Sequence, residues 1–194
     1  LQVVLNNSLV FYGNRTAIGG DVALSAMGIV SKISMILLSV CIGVGIGSQP
    51  ILGFNKGANH PGRIRKTYLY AIAAATAASV IGWAACQLIP DVILRLFGTG
   101  NADFTVFAIK CMRIYMLGIF TAGFQVVSTS YFQSTGQPMK ASVLSMLRQL
   151  LLLIPLILLL PMFFGLDGVL YAGPVADFTS AVIVLVFIIY EMKK

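Results

Sequence analysis

Of the 194 residues, 58% are hydrophobic and only 10% charged, with a mean hydropathy of +0.94, whereas an ordinary soluble domain is nearer half apolar and a quarter charged. A domain of this size leaves about a third of its unfolded chain's surface exposed, so a water-soluble globule cannot hide so much apolar area, and intrinsic disorder fails on the same composition. The formal charge of +7 resides in 13 basic residues dispersed between apolar stretches, which points to membrane topology rather than nucleic-acid binding.

Crossing a hydrocarbon core of about 30 Å takes about 20 helical residues. Residues 1 to 13 are apolar but too short to cross. The chain opens on Leu1 and lacks the basic start and cleavage site of a signal peptide, so this stretch is expected to be the outer part of a helix that begins upstream, in a fragment of a longer protein. A second helix is expected over 25 to 54, carrying the uncharged run 33 to 55 between Lys32 and Lys56. Within it Gly43, Gly45 and Gly47 precede Pro50, which removes a backbone donor and disfavours helical geometry at Gln49, so the helix should bend or end there.

A third helix is expected over 67 to 90, crowded with alanines from Ala71 to Ala78, and a fourth over 106 to 133, overlapping the uncharged run 114 to 139. The fifth, 141 to 163, contains Arg148, and the sixth, 168 to 190, contains Asp177. Short connections carry turn chemistry at Gly13-Asn14, Gly19-Gly20, Asn59 to Gly62, Gly98 to Asn101, Gly136-Gln137-Pro138 and Gly165 to Gly168. The fold class is therefore an all-α polytopic membrane protein, a six-helix transmembrane bundle with five tight loops. Pro155, Pro161 and Pro174 interrupt the last two helices, as in transporters that expose backbone groups to a cavity.

Seven basic residues (Lys56, Arg63, Arg65, Lys66, Lys140, Lys193 and Lys194) fall on one side and four (Arg15, Arg95, Lys110 and Arg113) on the other. Basic residues accumulate in the cytoplasm, which would put the second and fourth loops and the C-terminus there, in a multi-pass protein of the cytoplasmic membrane. Cys41, Cys86 and Cys111 lie in apolar stretches and read as small buried hydrophobes; His60 stands alone in a polar loop, so neither a disulfide framework nor a metal centre is expected. There is no HExxH, GxSxG, P-loop or acid pair, and no enzymatic chemistry is expected.

Amides and ions at membrane depth need partners or water. Asn6, Asn7 and Ser8 in the first helix, Gln125, Ser128, Thr129, Ser130 and Gln133 in the fourth, and Arg148 and Gln149 in the fifth therefore imply a polar interior or a water-filled cleft. Arg148 lies about 11 Å along its helix from the cytoplasmic side and Asp177 about 20 Å, counting 1.5 Å per residue. A long arginine side chain covers most of that difference, so the two are expected to pair directly or through water. Paired, Asp177 stays ionised and carries protons poorly; unpaired in an apolar cleft, it becomes a candidate for coupling proton movement to transport.

The stretch from Gly45 through Gly47, Ser48, Gln49, Pro50, Gly53, Asn55 and Lys56 to Gly57-Ala58, with the basic run Arg63 to Lys66, resembles the segment after the eighth helix of multidrug and toxic compound extrusion (MATE) transporters. Ala23 to Val30, Phe132 to Gly136 followed by Pro138, Leu147-Arg148-Gln149, and Gly165 to Val169 extend the likeness, in order, over helices seven to twelve of that family. The resemblance implies half of a pseudo-symmetric twelve-helix antiporter that exports amphiphilic, mostly cationic compounds in exchange for Na⁺ or H⁺. It implies as partners the lipid bilayer, the N-terminal six-helix half and the exported small molecules, with Gly47, Gln49, Pro50, Gly53, Asn55 and Gly57 as hinge or motif positions. No cofactor is implied beyond the coupling ion. Members with cation-binding acids in this half carry them in helices seven and ten; here those helices offer Asn6 and Asn7 and no deep carboxylate, which assigns coupling mainly to the other half. Asn6, Asn7, Met116, Gln125, Ser128 and Met146 are the expected cavity lining, since polarizable, adaptable side chains suit varied cations. A lipid-linked oligosaccharide flippase of the same superfamily, or a non-transporting membrane module from a split gene, are the alternatives; a row of inward basic residues would favour the flippase, and only Lys32 and Arg148 qualify.

Overall fold

The structure, a computed structural model, describes residues 1–97 and 102–192. Helix α1 (Gln2–Gly13) leads into α2 (Gly20–Gly57) and α3 (Pro61–Leu88). A short α4 (Pro90–Leu96) precedes α5 (Ala102–Tyr115), which passes through a 3₁₀ segment, Met116–Thr121, into α6 (Ala122–Ser134). Then α7 (Pro138–Met146) passes through a π-helical segment, Leu147–Leu153, into α8 (Ile154–Phe164), and α9 (Leu166–Met192) closes the described chain. Five continuous helical runs are long and apolar enough to cross a membrane: Gly20–Gly57, Pro61–Leu88, Asp103–Ser134, Pro138–Phe164 and Leu166–Met192. With the shorter α1 they give six successive elements.

Three local features depart from the sequence expectation. Helix α2 does not end at Pro50 but runs to Gly57. One missing N–H forfeits one hydrogen bond, whereas a helix end within hydrocarbon would leave up to four carbonyls without partners. Helix α3 starts at Pro61, six residues earlier than expected, because proline at the first position needs no N–H partner and has a helical φ already; the basic run Arg63 to Lys66 is thus helical. Beyond α3, Ile89 adopts φ −128° and Pro90 starts the unexpected α4. The turn at Gly98 to Asn101 and the lysines at 193 and 194 lie outside the described residues.

The interior divides into two apolar clusters. One joins Leu9, Met27, Val30, Met112, Val169 and Leu170; the other joins Leu52, Tyr68, Val127, Phe132, Leu144 and Val184. Side chains such as Ile36, Ile81, Phe163 and Val186 point outward, as lipid-facing residues must. Helices in lipid are held by close approach rather than by hydrophobic exclusion. At Gly123 a Cβ would stand 2.5 Å from the backbone carbonyl of Ala75, so α3 and α6 cross in near backbone contact. Lys140 and Gln137 both bond Glu191 at one end of the bundle, at 2.8 and 2.5 Å, and Lys110 pairs with Asp167 at the other, at 2.7 Å.

Candidate functional site: a charged node between two clefts

Three irregular stretches meet inside the bundle. The π segment carries Arg148 and Gln149. It widens the helix just ahead of Pro155, whose missing donor would otherwise disrupt a regular turn at Leu151. The 3₁₀ segment carries Gly118 and Thr121. Asp177 lies on α9 three residues after Pro174.

Arg148 Nε and Nη2 both donate to Oδ1 of Asp177, at 2.7 and 2.6 Å. The aspartate side chain is 11% exposed and the arginine 31%, so the carboxylate is enclosed while the guanidinium reaches an opening. Gly118 makes the room: a Cβ there would stand 2.6 Å from Asp177 Cβ and 2.8 Å from Oδ2. Gly173 does the same for the ring of Tyr115, 2.8 Å from the place a Cβ would take. Gln125 knits the node together. Its Nε2 donates to Thr121 Oγ1 at 2.9 Å and to the Asp177 carbonyl at 3.0 Å, and its Oε1 accepts from Ser180 Oγ at 2.7 Å. A network satisfied in this way rigidifies the site, because every unpaired member would carry its full desolvation cost.

Two clefts flank the node. One, of about 280 Å³, is lined by Ser31, Ser34, Tyr115, Arg148, Gln149 and Asp177 among others. The second, of about 420 Å³, takes in Gln49, Gln125, Ser130, Gln133, Arg148 and Gln149. Arg148 and Gln149 belong to both walls. Gln49 Nε2 donates to Gln133 Oε1 at 3.2 Å, so the signature proline turn of α2 borders the second cleft.

The expected cavity residues scatter. Gln125 is in the node. Asn6 faces a third cleft with Lys32, while Asn7, one residue and about 100° further round α1, faces a different one beside Phe11 and Leu158. Met116 is buried in the same apolar cluster as Met112 and Val169, and Ser128 is sealed between helices, hydrogen-bonded to Tyr68 Oη at 2.8 Å; neither lines the clefts just described. Met146 is 59% exposed, immediately before the π segment. Of the motif residues, Asn55 is buried and donates to the Ile51 carbonyl at 2.8 Å, and a Cβ on Gly53 would rest 3.7 Å from the Ser134 carbonyl; Gly47 and Gly57 face open space. Ser180, Thr121 and Gly118 were not expected in the site. Ser180 had a signal, standing three residues after Asp177 on one helix face; Gly118 had none, since its role depends on a neighbouring helix.

A family model described as MatE matches residues 1–159. The chain belongs to the MatE family. Among curated relatives it is 24% identical over 192 residues to the multidrug export protein MepA of Staphylococcus haemolyticus and 26% identical over 195 residues to MepA of Staphylococcus aureus. Those alignments take in 99% and 98% of this chain but 40% of each relative, so it spans about two fifths of their length. Among solved structures, a ligand complex of the MATE multidrug transporter DinF-BH is 34% identical over 89% of this chain and 39% of its own, with a TM-score of 0.78. The inward-facing and outward-facing conformations of a multidrug resistance MATE family transporter superpose with TM-scores of 0.86 and 0.83 over 98% of this chain and 43% of theirs, at 18% and 19% identity. The MatE resemblance read from residues 45 to 58 and their flanks is thus the family itself, and the helical bundle has its fold.

Proposed function

We propose that this bundle is the C-terminal six-helix half of a twelve-helix antiporter of the cytoplasmic membrane, which exports amphiphilic, mostly cationic compounds in exchange for Na⁺ or H⁺. The observation that carries the reading is the Arg148–Asp177–Gln125 node, set among apolar spans between two clefts with polar side chains in their walls. Ionisable groups at such depth are costly and, where they occur, mark substrate and ion pathways.

In this mechanism a second bundle supplies the opposite wall. Drug and coupling ion each bias an equilibrium between inward-open and outward-open arrangements by no more than their differential affinity for the two. Similar superposition on inward-facing and outward-facing relatives supports a half that rocks rather than repacks. Asp177 is held by Arg148, and among the described residues no other carboxylate lies at that depth; this supports a coupling acid in the other half. Ethidium efflux from cells carrying the full-length gene, with Na⁺ and pH gradients collapsed separately, tests the reading. Efflux that fails with one gradient and persists without the other identifies the ion; retention equal to that of cells without the gene rejects export.

A further inference from the structure

Arg148 is neutralised by Asp177, which leaves Lys32 as an uncompensated charge at that level of the bundle. Ser31 and Met35 line the same cleft as Arg148 and Asp177, and Lys32 stands 12 residues, about 18 Å, into α2 from Gly20, much as Asp177 stands 11 residues into α9 from Leu166. It is exposed on α2 and has no ion pair among the described residues. The nearest acid along its own helix, Asp21, is 11 residues away, about 16 Å at 1.5 Å per residue, and none follows before Asp91. A bare ammonium is not stable against hydrocarbon; it needs an opposite charge or water.

The side chains that share a cleft with Lys32 offer hydrogen-bond donors. It lines a cleft of about 360 Å³ with Gln2 and Asn6 of α1 and Ser31 of α2, rimmed by Met27 and Met35. Gln2 and Asn6 are four residues apart on one face of α1, and Gly28 and Lys32 are four apart on the facing side of α2. A Cβ on Gly28 would meet nothing within 4 Å, so the floor beneath the ammonium is open. Two amides, a hydroxyl and one positive charge offer several donors and balance a single negative charge. The level of the site is that of the buried ion pair, deeper than lipid headgroups.

We propose that Lys32, with Gln2, Asn6 and Ser31, forms a subsite for one carboxylate. It deepens the transporter reading above and rests on it for the second bundle. The carboxylate has two possible sources, an acidic group on a transported amphiphile or an Asp or Glu side chain on the facing bundle; a charge-assisted bond forms in either case.

The test uses the full-length transporter in neutral detergent. Fluorescence polarisation measures binding of a xanthene dye with a free carboxylate and of its ethyl ester, to wild type, K32M and K32R, with melting followed in parallel. If the ligand supplies the carboxylate, K32M weakens the acid dye about ten-fold or more while the ester stays within about two-fold, and K32R retains the acid dye. If the facing bundle supplies it, K32M lowers the melting temperature and shifts both dyes equally, and K32R restores both. The subsite is overturned if K32M melts and binds both dyes as wild type does. Should neither dye bind wild type, drug export is what fails, and equal melting of wild type and K32M still overturns the subsite. K32Q replaces K32M if the latter does not fold.

Discussion

Arg148 grips one oxygen of Asp177 with two of its nitrogens, at 2.6 and 2.7 Å, and leaves the other oxygen turned toward Gly118. The pair is therefore lopsided: the carboxylate is enclosed and the guanidinium is open to both clefts.

Asp177→Asn keeps the volume and removes the charge, leaving a guanidinium without its partner. Breaking an enclosed pair from one side costs about 3 kcal/mol or more, so D177N should accumulate poorly and melt well below wild type in detergent. A double R148M/D177L variant should recover most of that loss, since replacing both members by apolar groups leaves no orphaned charge. D177N melting with wild type would show that the pair is not structural.

Gly118→Ala places a methyl 2.6 Å from Asp177 Cβ, and overpacking of this kind costs about 1–3 kcal/mol. Gly47→Ala is the contrast, because its Cβ would meet nothing within 4 Å; it should melt as wild type or slightly above, helped by about 0.5–1 kcal/mol of helix propensity. Melting curves of the two variants side by side check both expectations.

Glu191 ties the end of α9 to the start of α7 through Lys140 and Gln137. Glu191→Gln should loosen that end, costing about 1 kcal/mol for a partly exposed pair. Hydrogen exchange should quicken over residues 135 to 141 and stay unchanged near Asp177.

At the opposite end, Lys110 and Asp167 are 48% and 40% exposed. Solvent and salt screen such a pair, so Asp167→Asn should shift stability by less than about 0.5 kcal/mol. A loss as large as that of D177N would contradict this ranking.

Glu191 contacts also place the turn between α6 and α7 beside the end of α9, and the bias of basic residues assigns the turn between α2 and α3 to the same side. Single cysteines at His60 and Met192, in a background without Cys41, Cys86 and Cys111, should label from the cytoplasmic side. A cysteine at Arg15 should label only from the other.

Much of this is legible in the sequence. The uncharged runs forecast the order of six helices because hydrocarbon thickness sets a minimum apolar length and charges cannot lie within it unaided. The Arg148–Asp177 encounter was legible too, as helical rise converts residue counts into depth. Depth along the membrane is a one-dimensional quantity, and a linear chain encodes it. Rotation and lateral neighbours are not. That Asn6 and Asn7 open onto different clefts, that Ser128 is sealed against Tyr68, that Gly118 yields its space to Asp177, and that α2 stays helical past Pro50 all depend on which helix lies alongside and on the local winding of the 3₁₀ and π stretches. Those are outcomes of three-dimensional packing, where close contact between residues far apart in sequence decides which polar group is enclosed and which, like Lys32, is left waiting for a partner.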